Sequence, residues 1–272
     1  MTSTLLISAF DIPAASLYIS PAAAADEDLN EWNLQAPNRY SLFQFNAAAA
    51  SNSIRHDLGS AVTKSVDHLI IARADMLKTA GVTSITLSGG SDGATFGTTA
   101  HTNASFASAT LYGPRSNDYV TEIATTSALR WWKMAYVATS TKFPHSKLSF
   151  GSFFDFGCDV GSYSIDRIPA KEARFYTDAG SQYQSRVSEE IYKFTMTWNK
   201  VTVAKMTTFM STIARYAHRL PVFLYTTTAG NRHELLDSQR LIHARIVPES
   251  IQRKDAHYDR QQITIEFQEL LG

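Results

Sequence analysis

Apolar residues recur at every second position along several stretches of this chain. Tyr192, Phe194, Met196 and Trp198 alternate with Lys193, Thr195 and Thr197. Such alternation marks a strand with one buried face. Ile263, Ile265 and Phe267 alternate with Thr264, Glu266 and Gln268 in the same way. Trp132, Met134 and Tyr136, interleaved with Lys133 and Ala135, predict a third strand. Ile85 and Leu87, set between Ser84, Thr86 and Ser88, predict a fourth. The run Leu69, Ile70, Ile71, Ala72 reads as a short buried strand, and 222–225 and 241–247 as two more. The stretch 146–163, rich in phenylalanine and glycine, is expected to hold another strand and a turn.

The period changes only once. Val203, Met206, Met210, Ile213 and Ala217 fall at spacings of three and four, which predicts an amphipathic helix over 203–217 packed on a sheet. Thr202 is placed to cap it, and Pro221 to end it. Gly89-Gly90-Ser91-Asp92-Gly93 and Ala229-Gly230-Asn231 are turn chemistry. The polar, small-residue stretch 98–108 reads as a loop. The predicted architecture is mainly β, in two domains. Residues 1–168 form a β-sandwich with long loops, and residues 169–272 a β-domain with the one helix at about 203–217.

Composition narrows the function classes. Of 272 residues, 44% are hydrophobic and 18% charged, enough for an ordinary globular core. Lysine plus arginine equals aspartate plus glutamate, 25 of each. A balanced chain without a basic run has no electrostatic footprint for nucleic acid. Cys158 is the single cysteine, so an internal disulfide and a multi-thiolate metal site are both excluded. It follows Phe154-Asp155-Phe156-Gly157, beside carboxylates that disfavour a thiolate, and reads as a structural thiol matured in a reducing cytoplasm. The apolar run 4–10 resembles a leader, but no lysine or arginine precedes Arg39, so secretion is not expected. No stretch has the apolar length of a membrane span, and membrane insertion is not expected.

Candidate chemistry is sparse. No nucleophile elbow, Walker loop, dinucleotide fingerprint, EF-hand or zinc helix is present. The segment 87–93 is the nearest approach to a phosphate cradle, but it lacks the lysine and the following helix. Asp155 and Asp159 could be imagined as an acid/base pair, but spacing alone does not set them across a bond. Asp26, Glu27, Asp28 and Glu31 form an acidic run, read as a solvated segment. His233 beside Glu234, and His243 near Arg245, are weak candidates. No catalytic, cofactor-binding or metal-binding residue is assigned, no cofactor is expected, and the chain is not expected to be an enzyme. Trp131-Trp132 is the exception worth weighing. Neighbouring strand residues face opposite sides, so one ring can enter the core while the other stacks on a sugar or anchors an interface. The plainer alternative is that loops cover both.

The first half resembles discoidin-like, galactose-binding β-sandwiches of jelly-roll type. The residues that carry this are Asp57-Leu58-Gly59-Ser60, His68-Leu69-Ile70-Ile71-Ala72-Arg73, Ser84-Ile85-Thr86-Leu87-Ser88 with Asp92-Gly93, and Arg130-Trp131-Trp132-Lys133. The family's ligand loops have no matching motif here, so ligand binding does not carry over. The second half looks like tail-tube and distal tail proteins of siphophages, in its strand 192–198, helix 203–217, strand 222–225 and closing Phe267-Gln268-Glu269-Leu270-Leu271-Gly272. That resemblance implies a β-sandwich flanked by one helix. The order of modules departs from it, since distal tail proteins more often carry the accessory sandwich second.

Together the resemblances imply a structural virion protein of a phage tail tip, assembled in the host cytoplasm. It would form a homo-oligomeric ring, hexamer or trimer, between the tail tube protein and the tail hub or tip proteins. The alternative is a module that binds a host-surface carbohydrate.

Overall fold

In this computed structural model the described residues are 5–9, 17–20, 43–45, 51–60, 62–112, 117–124, 126–139, 144–146, 148–158, 160–169, 172–176, 182–186, 191–215, 222–226, 241–247, 249–257 and 259–270. The chain opens with β1 (Leu5–Ala9), β2 (Leu17–Ser20), β3 (Phe43–Gln44), β4 (Ser51–Asp57) and β5 (His68–Ile71). A short helix α1 (Ala74–Thr79) leads to β6 (Val82–Gly90), β7 (Thr98–Asn103), a 3-10 turn (Phe106–Ser108), β8 (Tyr119–Glu122) and β9 (Trp131–Ala138). Then come β10 (Pro144–His145), β11 (Leu148–Gly151), β12 (Val160–Ile168), β13 (Glu172–Tyr176), β14 (Gln182–Arg186) and β15 (Ile191–Thr202). Helix α2 (Val203–Phe209) precedes β16 (Val222–Thr226), β17 (Leu241–Ile246), β18 (Gln252–His257) and β19 (Arg260–Glu269). The protein is mainly β, as its alternating pattern predicts. Among the described residues no helix is long and apolar enough to cross a membrane.

The chain divides into two compact units, one built on Phe10–Phe153 and the other on Phe154–Asn231 and Ile242–Leu271 with Met1–Ala9. The first is a β-sandwich. A five-stranded sheet runs β2-β4-β9-β6-β7, a three-stranded one β11-β5-β8, and all these pairings are antiparallel. The core between them takes Ile54 from β4, Leu69 and Ile71 from β5, Ile85 and Leu87 from β6, Trp132, Met134 and Tyr136 from β9, and Leu148 and Phe150 from β11. Trp132 has no exposed surface, and its indole N–H donates to the Leu129 carbonyl at 3.2 Å. A ring buried this way contributes roughly 2–3 kcal/mol once its N–H is satisfied.

The second unit is built on a seven-stranded sheet, β1-β16-β17-β19-β15-β12, with β18 also pairing β19. Strands β13 and β14 form a separate hairpin. Phe194, Met196 and Trp198 of β15 and Ile263, Ile265 and Phe267 of β19 are all buried, on the face their alternation predicts. Helix α2 packs on these strands, with the Phe209 ring tilted 5.1 Å from Phe156, itself 4.6 Å from Trp198. Thr202 caps the helix, its hydroxyl accepting from the Lys205 amide at 3.3 Å.

Four expectations need correction. Residues 98–108 are not a loop: they hold β7 and the 3-10 turn, with β7 laid against β6. The helix ends its α-helical part at Phe209 and continues as a π turn over Met210–Ala214. Its buried face is Met206, Phe209 and Ile213, while Val203 and Met210 are 44% and 42% exposed. The large Phe209 ring sets that face, and the predicted stripe lies to one side of it; Ala217 lies outside the described residues. Finally, β12 precedes the boundary expected at Ile168 yet pairs with β15, and β1 pairs with β16, so both belong to the second sheet. The turn expected at 229–231 lies outside the described residues.

Candidate functional site

The outer face of the five-stranded sheet collects the side chains that the core rejects. On β9, the period that buries Trp132, Met134 and Tyr136 turns Trp131, Lys133 and Ala135 outward. On β4, Asn52, Ile54 and His56 face the core, so Ser53, Arg55 and Asp57 share the outer face. The register sets Asp57 beside Trp131, and Arg55 beside Lys133.

Trp131 is half-buried, and Arg130 and Gly93 lie against it. The Arg130 guanidinium carbon lies 5.3 Å from the indole centroid. Gly93, at φ 73°, lies against the same ring, where an added Cβ would stand 2.7 Å from the indole. Only glycine permits both that backbone and that approach. Arg130 is itself fixed: its Nε and Nη2 donate to the two oxygens of Asp57, each at 2.6 Å. This paired geometry is the strong form of a guanidinium–carboxylate contact. The Arg130 hydrogen bonds hold the Asp57 carboxyl below the usual carboxylate value, helped by the Gly59 amide, which donates to it at 2.9 Å. Arg55 donates from Nη1 to the Gly93 carbonyl at 3.4 Å, and the Lys133 ammonium lies 5.7 Å from the Phe96 ring centroid. Asp92 shapes the loop, its Oδ1 accepting from the Thr95 and Ala94 amides, which hold its carboxyl below the usual value.

The structure thus separates the two tryptophans. Trp132 is a core residue, and Trp131 belongs to a surface of cations, a carboxylate and an aromatic edge. The other described candidates have local surroundings of their own. Asp155 accepts from the Gly157 amide at 2.7 Å, an ordinary turn contact, and Asp159 lies outside the described residues. Cys158 is half-buried. His243 is 3% exposed, with its ring 4.8 Å from Phe223, and Arg245 donates to Gln268 on the next strand. The acidic residues Asp26, Glu27, Asp28 and Glu31, and His233 with Glu234, lie outside the described residues. Among the described residues no three His, Cys, Asp or Glu side chains gather where they could hold a metal ion. Glycines 89 and 90 are strand residues of β6, and the turn proper begins after them.

Sequence reading missed Arg55, Phe96 and the Asp57–Arg130 pair. The outward position of Lys133 follows from the β9 alternation, but its neighbours across the sheet depend on register.

The sandwich also buries a histidine. His68 is 1% exposed, stacked on Phe153 with ring centroids 3.9 Å apart, and its Nδ1 lies 2.9 Å from Asp67. Burial pushes its imidazole below the usual histidine value, so the neutral ring donates to Asp67.

No protein-family model matches the sequence, and comparison with curated proteins finds no match. Solved structures do show likenesses. Chitosan-binding module 1 from a chitosanase/glucanase of Paenibacillus sp. IK-5 is 11% identical, with TM-score 0.38 over 50% of this chain and 94% of that one. A pectin-binding carbohydrate-binding module is 10% identical, with TM-score 0.39 over 53% and 92%. Module CBM32-3 from a family 31 glycoside hydrolase of Clostridium perfringens is 12% identical, with TM-score 0.36 over 53% and 95%. TM-scores this low carry no inference about ligand or activity.

Proposed function

We propose that this chain acts by binding, not by catalysis, and that its β-sandwich takes a carbohydrate on the outer face of the five-stranded sheet. The observation that carries this reading is Trp131. Of the three aromatic residues of β9, it alone is turned from the core and partly exposed. A rigidly held indole offers an apolar surface for the C–H face of a sugar ring, and the charged groups around it can meet the hydroxyls. Arg55 and Lys133 supply such donors within the same patch, beside the Asp57–Arg130 pair that holds the ring. Asp57, Asp92 and Asp155 are each engaged in structural hydrogen bonds, which supports binding over turnover at these three carboxylates.

The test is a glycan array and affinity electrophoresis with the intact chain and with Trp131→Ala. Retention on at least one glycan, lost in Trp131→Ala without loss of the folded far-UV spectrum, is the expected result. No glycan signal from the unaltered chain overturns the reading.

A second reading is favoured by β12. This nine-residue strand ends the seven-stranded sheet and is exposed or half-buried along its whole length, with Tyr163 39% exposed. An exposed strand edge offers a ladder of backbone donors and acceptors to another chain. It supports the tail-tip reading: a homo-oligomeric ring in the virion between tail tube and tail hub or tip proteins. Native mass measurement and negative-stain microscopy test it, and a strict monomer at high concentration counts against it. Both readings can hold together, as a glycan-binding sandwich carried on a ring-forming sheet.

A further inference from the structure

We propose that the sugar recognised at Trp131 carries an anionic group, a carboxylate or a sulfate ester, which Arg55 and Lys133 hold. This rests on the carbohydrate reading above and names its ligand class.

One row of residues across the sheet carries the argument. Tyr18 of β2 is the partner of Arg55 on β4, Arg55 of Lys133 on β9, Lys133 of Ser88 on β6, and Ser88 of Thr99 on β7. The row spans all five strands and holds two cations and no anion. Like charges placed directly opposite on neighbouring strands repel, and a bound anion offsets that repulsion. The two described carboxylates nearest in this face and its loop are already used. Both oxygens of Asp57 receive the Arg130 fork, and Asp92 accepts the amides of its own turn. Arg55 also shows an unmet demand. Its Nε is buried and has no hydrogen-bond partner, and its Nη1 makes a 3.4 Å contact to the Gly93 carbonyl. The buried Nε is out of a ligand's reach, but Arg55 as a whole is half-buried and held by one long contact, so its terminal N–H groups stay available to a carboxylate or sulfate oxygen.

The pair also sits where a sugar substituent would reach. Lys133 follows Trp131 by two residues on the same face, about 7 Å along the strand. A ring stacked on the exposed part of the indole therefore presents its substituents to the two cations. The Phe96 ring lies 5.7 Å from the Lys133 ammonium and adds an aromatic surface beside it. The whole chain is neutral, with 25 basic and 25 acidic residues, so the preference for an anion comes from this row and not from overall charge.

The experiment is retardation of the full chain in gels cast with polygalacturonate, with a sulfated polysaccharide, and with neutral galactan, each at low and high salt. The variants are Arg55→Gln, Arg55→Lys, Lys133→Gln and Trp131→Ala, each checked to be folded at the assay temperature by its cooperative melting transition. The expected result is retention by an acidic polymer, weakened roughly tenfold or more in Arg55→Gln and Lys133→Gln, and lost in Trp131→Ala. Arg55→Lys falls between, because it keeps the charge and loses the fork. A preference for polygalacturonate identifies the anion as carboxylate, and one for the sulfated polymer as sulfate; both support the proposal. Trp131-dependent retention by neutral galactan alone overturns it and leaves the carbohydrate reading standing. Acidic retention that high salt abolishes and that Trp131→Ala leaves intact overturns it as plain polyanion binding. Failure of all three polymers overturns this proposal, and the glycan array then decides the carbohydrate reading on its own.

Discussion

Asp57 and Arg130 meet through two parallel hydrogen bonds of 2.6 Å, one from β4 and the other from the bend that enters β9. The pair pins the start of β9 and so decides where Trp131 stands. Arg130→Ala, or Asp57→Asn, is expected to cost about 1–2 kcal/mol in urea unfolding, more than an exposed ion pair and less than a core residue. The double variant is expected to cost less than the sum of the two, with the shortfall measuring the coupling. Strict additivity would show that the pair does not act as a unit.

The two neighbouring tryptophans are expected to behave oppositely. Trp132→Ala removes a ring with no exposed surface and should cost roughly 3–5 kcal/mol. Trp131→Ala removes a half-buried one and should cost only about 1–2 kcal/mol, leaving a folded chain. Chemical denaturation of both variants checks this. Equal costs would mean that Trp131 is a core residue too.

That contrast shows how much the sequence reveals and where it stops. The alternation in β9, β15 and β19 is legible because each strand has one wet face and one dry face, so the core residues and the outward turn of Trp131 follow directly. Strand β7 is not legible. Thr98-Thr99-Ala100-His101-Thr102-Asn103 has no apolar alternation, and its place comes from backbone pairing with β6. Strand β12 is hidden for the same reason. In β4, polar Asn52 and His56 point into the core, which masks its period. The row that joins Arg55 to Lys133 depends on strand register, which a linear pattern of polar and apolar positions does not contain.

Gly93→Ala is expected to destabilise the sandwich by roughly 1–3 kcal/mol, through a left-handed backbone that alanine resists and a methyl group driven onto the indole. Because the ring must move, the tryptophan emission spectrum should shift as well. An unchanged spectrum and melting point would mean that the loop yields freely.

Stability should fall as the pH is lowered through the histidine range. Burial depresses the His68 value in the folded state, so below about pH 6.5 the unfolded chain binds a proton that the folded chain resists. The stabilisation is complete above the unfolded value and is lost as the pH falls towards the folded one. His68→Gln should flatten this limb of the profile. Asp57, depressed by Arg130, adds a second loss at more acid pH, below the ordinary carboxylate value of about 4. Melting temperatures across the pH range check both limbs.

Strand β1 lies against β16, with Leu5 opposite Thr226 and Ala9 opposite Val222. During synthesis on the ribosome β1 therefore emerges early and waits, without its partner, while the whole sandwich between them is made. Its docking closes a very long loop, which places it among the slow, late events of folding. A nascent chain arrested before β16 carries β1 as a bare apolar strand, a target for chaperones and for misplaced pairing with other chains.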